Sequence, residues 1–153
     1  MNSMKKKIER LLEKTNKIDD EELSAHFLNY ICVLISGYLE VELEKIIKKY
    51  QKSEHCKRHE CSTNINSMRK IQNAKWCSIR PVFMNIDNTI LSKLKGSIED
   101  MEQTISSINN IVNTRHKIAH GKSVTNLTED NLVKDLNNID CFINKLQEVF
   151  EQL

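Results

Sequence analysis

Apolar residues recur at three- and four-residue spacings along most of this chain, which is the spacing of one face of an α-helix. The longest run lies within 27–50 and predicts a helix of about 28 residues, or about 40 Å at 1.5 Å per residue. Asp19 and Asp20 precede this run and suit the cap of its first turn. The apolar positions of the run are Phe27, Tyr30, Ile31, Leu34, Ile35, Tyr38, Leu39, Leu43, Ile46, Ile47 and Tyr50.

Two further apolar runs predict long helices in the second half of the chain. One begins at Ile98 and continues into the segment 115–120, and Gly121 follows it, as glycine often does just past a helix end. The other begins after Thr128, which suits an N-cap. Its apolar positions are Leu132, Leu136, Ile139, Phe142, Ile143, Leu146, Val149 and Phe150.

Shorter elements connect the long helices, and no segment has the alternation of a strand. Gly96 and Ser97 mark a break, with Ser97 as a candidate N-cap for the helix that follows. We therefore predict an all-α fold, an antiparallel helical bundle of three long helices plus short helices, as one domain over 1–153. Short helices are predicted over 4–17, 65–71 and 87–94, a polar loop over 53–66, and an irregular stretch around Trp76 and Pro81.

The composition limits the possible cellular location and binding partners of the protein. The 153 residues carry a formal net charge of only +2, so nucleic-acid binding would depend on local basic patches. The N-terminus lacks the apolar core of a signal peptide, and the longest apolar stretch, Phe27 to Leu39, is too short for a membrane span. Five cysteines without a secretory signal favour reduced thiols. We expect a cytoplasmic protein without membrane association.

The segment from Arg115 to Gly121 holds the chemistry-bearing side chains. On an ideal helix His116 and His120 lie about 40° apart, while Arg115 points about 140° from His120. Either the last turn distorts or the long arginine side chain wraps around the helix. Guanidinium binds phosphate oxygens, and imidazole transfers protons near neutral pH. Cations at a capped helix end give the same pattern without a function, so that alternative stays open.

The string from Ile111 to Gly121 resembles the signature of the HEPN superfamily, which is arginine, a polar residue, three residues and histidine. His116 stands where the signature more often has asparagine. The segment from Cys32 to Glu40 resembles the early helix of the RiboL-PSP-HEPN-like subgroup, and Ile71 to Lys75 fits it more weakly. The resemblance implies a HEPN-like bundle.

The resemblance also implies an activity. Such proteins are typically homodimers with a composite active site, and many are metal-independent endoribonucleases that need no cofactor. The implied reaction is attack of the RNA 2′-hydroxyl to give a 2′,3′-cyclic phosphate, in a toxin or an anti-phage or abortive-infection effector with an antitoxin or operon partner protein. Two alternatives remain: a catalytically inactive HEPN scaffold for dimerisation and RNA or nucleotide binding, and a plain interaction bundle.

Five residues take roles under this hypothesis. Arg115 would hold the scissile phosphate, His120 would act as general base or acid, and His116 would orient the phosphate or supply the second proton transfer. Lys117 adds positive charge. Glu40 is expected to orient Arg115 or a histidine, with a solvated helix-face carboxylate as the alternative.

A second group of polar residues lies in the predicted loop. His55, Cys56, His59 and Cys61 are weak candidates for a zinc site, because no second ligand pair follows at the usual spacing. A solvated, charged loop is the stronger interpretation. We therefore predict no metal and no cofactor for this chain.

Overall fold

Helices make up the ordered framework of the chain. A computed structural model describes residues 3–53, 71, 73–124 and 126–153, and within these ranges it contains six α-helices and no strand. This confirms the all-α bundle. The helices are α1 (Ser3–Thr15), α2 (Glu21–Gln51), α3 (Trp76–Ile86), α4 (Ile90–Ser97), α5 (Met101–Ala119) and α6 (Glu129–Glu151).

The helix α2 is the longest element and packs against three others, α1, α5 and α6. Its first turn is capped by Asp20, whose carboxylate accepts a hydrogen bond from the backbone N–H of Leu23 at 2.8 Å. Most of the predicted apolar stripe is buried. Tyr30 departs from the stripe, since 47% of it is exposed.

Contacts between side chains fix the helix directions. The Tyr38 hydroxyl donates to Asp140 at 2.6 Å, and Lys49 forms an ion pair with Glu151 at 2.7 Å, so α2 and α6 run parallel. Only the segment 120–128 joins α5 to α6, and these two helices pack side by side in opposite directions. The C-terminal end of α5 therefore lies beside the N-terminal ends of α2 and α6.

Aromatic rings fill the centre of the bundle around α6. Phe142 lies 6.1 Å from Trp76 and 6.4 Å from Phe83, measured between ring centroids. Phe150 makes edge-on contacts with Tyr50 and Phe83. All eight apolar positions predicted for the last helix are buried. These contacts attach α3 to the long helices.

The predicted irregular stretch around Trp76 and Pro81 is wrong, because these residues belong to α3 with the proline inside the helix. An interior proline costs about 3 kcal/mol. Ile79 and Phe83 are completely buried on the inner face of α3. Their burial contributes about 3–6 kcal/mol together, which is enough to hold the helix despite the proline.

The break between α4 and α5 lies later than predicted. The helix α4 spans Ile90–Ser97, so Gly96 and Ser97 end it, and the Ser97 hydroxyl donates to the Leu94 carbonyl at 3.1 Å. Asp100 caps α5 instead, accepting from the N–H of Gln103 at 2.8 Å. A carboxylate is as good an N-cap as a serine hydroxyl, so cap preference alone does not decide between Ser97 and Asp100.

Several predictions fall outside the described residues. These are most of the loop over 53–66, most of the helix over 65–71, and the zinc candidates His55, Cys56, His59 and Cys61. Within the described ranges, no three histidine, cysteine, aspartate or glutamate side chains come together as metal ligands. None of the described helices has an apolar stretch of the length that a bilayer crossing requires.

Candidate functional site

The C-terminal end of α5 presents the Arg–His segment on a regular and well-capped helix. Gly121 adopts φ +64°, and its N–H bonds to the carbonyl of Ile118 at 3.0 Å. The N–H of Lys122 bonds to the carbonyl of Lys117 at 2.9 Å. This pair of bonds is the Schellman motif, which needs a left-handed residue and so favours glycine. The predicted end at Gly121 is confirmed.

Two histidine rings contact each other on this helix end, tilted at an interplanar angle of 59°. The ring centroids of His116 and His120 are 4.3 Å apart, as four-residue spacing on a helix allows, and both residues are exposed. Loss of hydration, and then the charges of His120, Lys75, Lys122 and Arg115, lower the pKa of His116. Its imidazole is therefore mainly neutral at pH 7, where it can accept a proton.

Arg115 extends away from the histidine pair. Its Nη1 donates to the Oδ1 of Asn73 at 3.1 Å, and the residue is half-buried. The helix is regular up to its cap, so of the two alternatives for the last turn the distorted helix is absent. Among the described residues, no hydrogen bond joins Arg115 to His116 or His120. The cation still acts on His116 through its charge.

The segment before α3 forms a bend that docks on α5. Asn73 adopts φ +65°, a left-handed conformation that asparagine tolerates better than most residues. Its carbonyl accepts from the N–H of Lys75 at 2.7 Å, and the Trp76 N–H donates to Asn109 Oδ1 at 3.0 Å. The bend thus brings Lys75 towards His116. Sequence analysis gave these residues no role, because their contacts with α5 are long-range.

Glu40 lies away from this end of the bundle. The Cys32 thiol donates to the Ile111 carbonyl at 3.7 Å, which puts Cys32 beside the last turns of α5. Glu40 follows Cys32 by eight residues, about 12 Å further from Arg115 along α2. Its Oε1 is buried without a hydrogen-bond partner among the described residues. Lys117 is exposed on α5. The supporting roles of both residues stay predictions.

Almost the whole chain matches one known protein family. The RiboL-PSP-HEPN family model covers residues 2–152. This chain belongs to that family. HEPN domains are often RNases or nucleotide-binding modules. No curated protein and no solved structure gives a significant match.

The HEPN chain brings together part of the predicted site. His116 and His120 are in contact, and Arg115, five residues before His120, is fixed by Asn73. Lys75 and Lys122 add positive charge around His116. This set can transfer protons through imidazole and bind phosphate oxygens through cations. Glu40 is not part of it within one chain.

Proposed function

We propose that this HEPN protein is a metal-independent endoribonuclease acting in the cytoplasm. The observation that supports this most directly is the exposed pair of imidazoles, with ring centroids 4.3 Å apart, on the same helix end as Arg115. A helix end that only needed capping cations would have no use for two histidines in contact, since like charges at this distance repel when both are protonated. Family membership supports the same proposal.

The proposed reaction uses the 2′-hydroxyl of RNA as nucleophile. His116, whose pKa is lowered, removes the 2′-hydroxyl proton, and the oxygen attacks the adjacent phosphorus. Arg115 binds a phosphate oxygen and stabilises the extra charge of the transition state. His120 donates a proton to the departing 5′-oxygen. The products are a 2′,3′-cyclic phosphate and a free 5′-hydroxyl, and DNA is inert because it lacks the nucleophile.

A second copy of the chain is part of the proposal. The outer face of α2 exposes four large apolar residues, namely Leu23, Tyr30, Val33 and Val41. Large apolar side chains exposed along one helix favour a protein interface there. Tyr30 and Val33 flank Cys32, which lies beside the last turns of α5. A homodimer through this face would bring two Arg–His segments near each other as one composite site.

We place this activity in a toxin or in an anti-phage, abortive-infection effector. In such a role an antitoxin or operon partner protein holds the nuclease inactive until it is released. Family membership is the support for this part. Comparing growth after induced expression of the wild type and of His120→Ala tests this proposal directly.

The first prediction is that RNA cleavage depends on this motif. Purified wild type in the presence of a chelator should cleave total RNA and leave 2′,3′-cyclic phosphate ends. His120→Ala and Arg115→Ala should each reduce cleavage by about 10²- to 10³-fold, the usual effect of losing a proton-transfer or charge-stabilising group. Lys7→Ala, an exposed lysine on α1, is the control. Undiminished cleavage by a His120→Ala, Arg115→Ala double variant would contradict the proposal. RNA binding by wild type without any cleavage would favour the inactive scaffold.

A further inference from the structure

A cleft opens where α3, α4 and α5 meet, and its lining residue Trp76 directly follows the bend that docks on Arg115. Its volume is about 440 Å³. Trp76 and Arg80 line it from α3, Ser92 and Lys95 from α4, and Met101 from the first turn of α5. The cleft therefore combines an aromatic ring, two cations and an apolar wall.

The charged side chains among the described lining residues of the cleft are all positive. Arg80 and Lys95 are the only charged groups among its described lining residues. Neither takes part in an ion pair between described residues, in contrast to Lys5 on α1, to Lys145 on α6, and to Lys45, Lys48 and Lys49 on α2. Two cations that line a cleft and form no ion pair with any described residue favour an anionic ligand such as a phosphodiester.

The ring of Trp76 is held in place on one side and lines the cleft on another. It makes an edge-on contact with Phe142 at an interplanar angle of 77°. Leu91 and Met101 supply the apolar wall next to it. A fixed aromatic ring beside apolar side chains is the arrangement on which an unpaired base stacks, and cations nearby hold its backbone.

Four residues of backbone, from Asn73 to Trp76, connect the contact at Arg115 to the lining of the cleft. Asn73 accepts the hydrogen bond from Arg115, and Lys75 acts on His116 by its charge. Trp76 then begins α3, with its N–H bonded to Asn109. A strand whose phosphate lies at Arg115 can therefore follow the bend past Lys75 and reach the cleft.

We propose that this cleft binds a nucleotide of single-stranded RNA that flanks the phosphate held at the Arg–His segment. The base stacks at Trp76, and Arg80 and Lys95 hold the adjoining phosphates. The inference rests on the proposed function, because that function supplies the strand. It adds a binding site that selects unpaired RNA, since a base within a duplex cannot enter the cleft.

Trp76 is the only tryptophan of the chain, so its fluorescence reports on the cleft directly. The probes are short 2′-O-methyl oligonucleotides of each base, which cannot be cleaved because the nucleophile is blocked. They should quench Trp76 fluorescence to saturation. An Arg80→Ala, Lys95→Ala double variant should bind at least about ten-fold more weakly. It should also lower the slope of log K against log salt by about 1.4, since each single-strand phosphate contact contributes about 0.7.

A Lys6→Ala, Lys7→Ala double variant is the matched control, because it removes the same charge from exposed positions on α1. It should keep the wild-type affinity, and circular dichroism should show both variants folded. If the oligonucleotides do not quench Trp76 fluorescence, or if both double variants weaken binding equally, the proposed nucleotide binding in the cleft is wrong. If the Arg80→Ala, Lys95→Ala variant cleaves unmodified RNA with full activity, the cleft proposal is also wrong, but the proposed nuclease activity stands. If the wild type shows the predicted quenching but cleaves no RNA, the proposed nuclease activity is wrong, and nucleotide binding in the cleft is supported.

Discussion

Two titratable side chains near the C-terminal end of α5, Cys32 and His116, have pKa values shifted in opposite directions. Burial, and then the charge of Asp135, raises the pKa of the Cys32 thiol to about 12. It therefore stays protonated and donates to the Ile111 carbonyl, as part of the packing. The pKa of His116 is lowered instead, on an exposed surface. Of the two groups, the histidine is the one that can serve as a base at neutral pH.

The lowered pKa of His116 leads to a prediction with a definite sign. A nearby cation disfavours the protonated imidazole, so a Lys75→Gln substitution should raise the pKa of His116 towards its ordinary value. If His116 is the general base, the acid limb of the kcat/KM profile then moves to higher pH. NMR titration of the imidazole measures the pKa directly. Lys7→Gln should change neither quantity, and an unchanged or lowered pKa in Lys75→Gln would contradict the assignment.

At the scale of elements, the bend before α3 holds Arg115 in place. We expect Asn73→Gly to lower kcat/KM about ten- to a hundred-fold, because the guanidinium loses its hydrogen-bond acceptor and its fixed position. Glycine keeps the left-handed backbone at φ +65°, so the bend itself is retained. Most of the loss should be in kcat, since Arg115 still attracts phosphate. Steady-state kinetics measures this.

A merely structural role of Asn73 predicts a different result. In that case Asn73→Gly would lower the free energy of unfolding and leave kcat unchanged. Asn73→Asp supplies the control, because its carboxylate restores an acceptor for Arg115 and should recover part of the activity. Failure of Asn73→Asp to recover any activity, with the fold intact, would count against the positioning role.

The elements that the sequence predicted well are those with long apolar periodicity. The three long helices, the Asp20 and Thr128 caps and the end at Gly121 all follow from local rules, and each is present. The helix around Pro81 was missed because its stability comes from burial of Ile79 and from packing of Phe83 against Phe142 of α6, which no local rule contains.

The same division applies to the candidate site. The contact between His116 and His120 follows from four-residue spacing alone. The bond from Arg115 to Asn73 joins residues 42 positions apart, so it depends on how α3 packs. The cleft at Trp76 likewise requires three helices to meet. Sequence reasoning therefore identified the candidate reacting groups and missed the residues that we propose to position them and the RNA strand.

At the scale of the whole molecule, the outer face of α2 should determine the oligomeric state. Tyr30→Arg places a charge at the centre of this face, so it should convert a dimer into a monomer and abolish RNA cleavage. Met84→Arg is the matched control, since Met84 on α3 is 49% exposed and Tyr30 is 47% exposed. Light scattering after size-exclusion chromatography measures the mass. A Tyr30→Arg protein that stays dimeric would show that another surface pairs the chains.

Mixing two inactive variants tests whether the active site is shared between chains. Homodimers of Arg115→Ala lack both guanidinium groups, and homodimers of His120→Ala lack both of those imidazoles. A mixed dimer retains one Arg115 and one His120 on different chains. If the site is composite, exchange of subunits should restore part of the cleavage, and adding Tyr30→Arg to both chains should remove that recovery. A mixture that exchanges subunits, as differently tagged chains would reveal, and still cleaves nothing would mean that each chain needs its own Arg115 and His120.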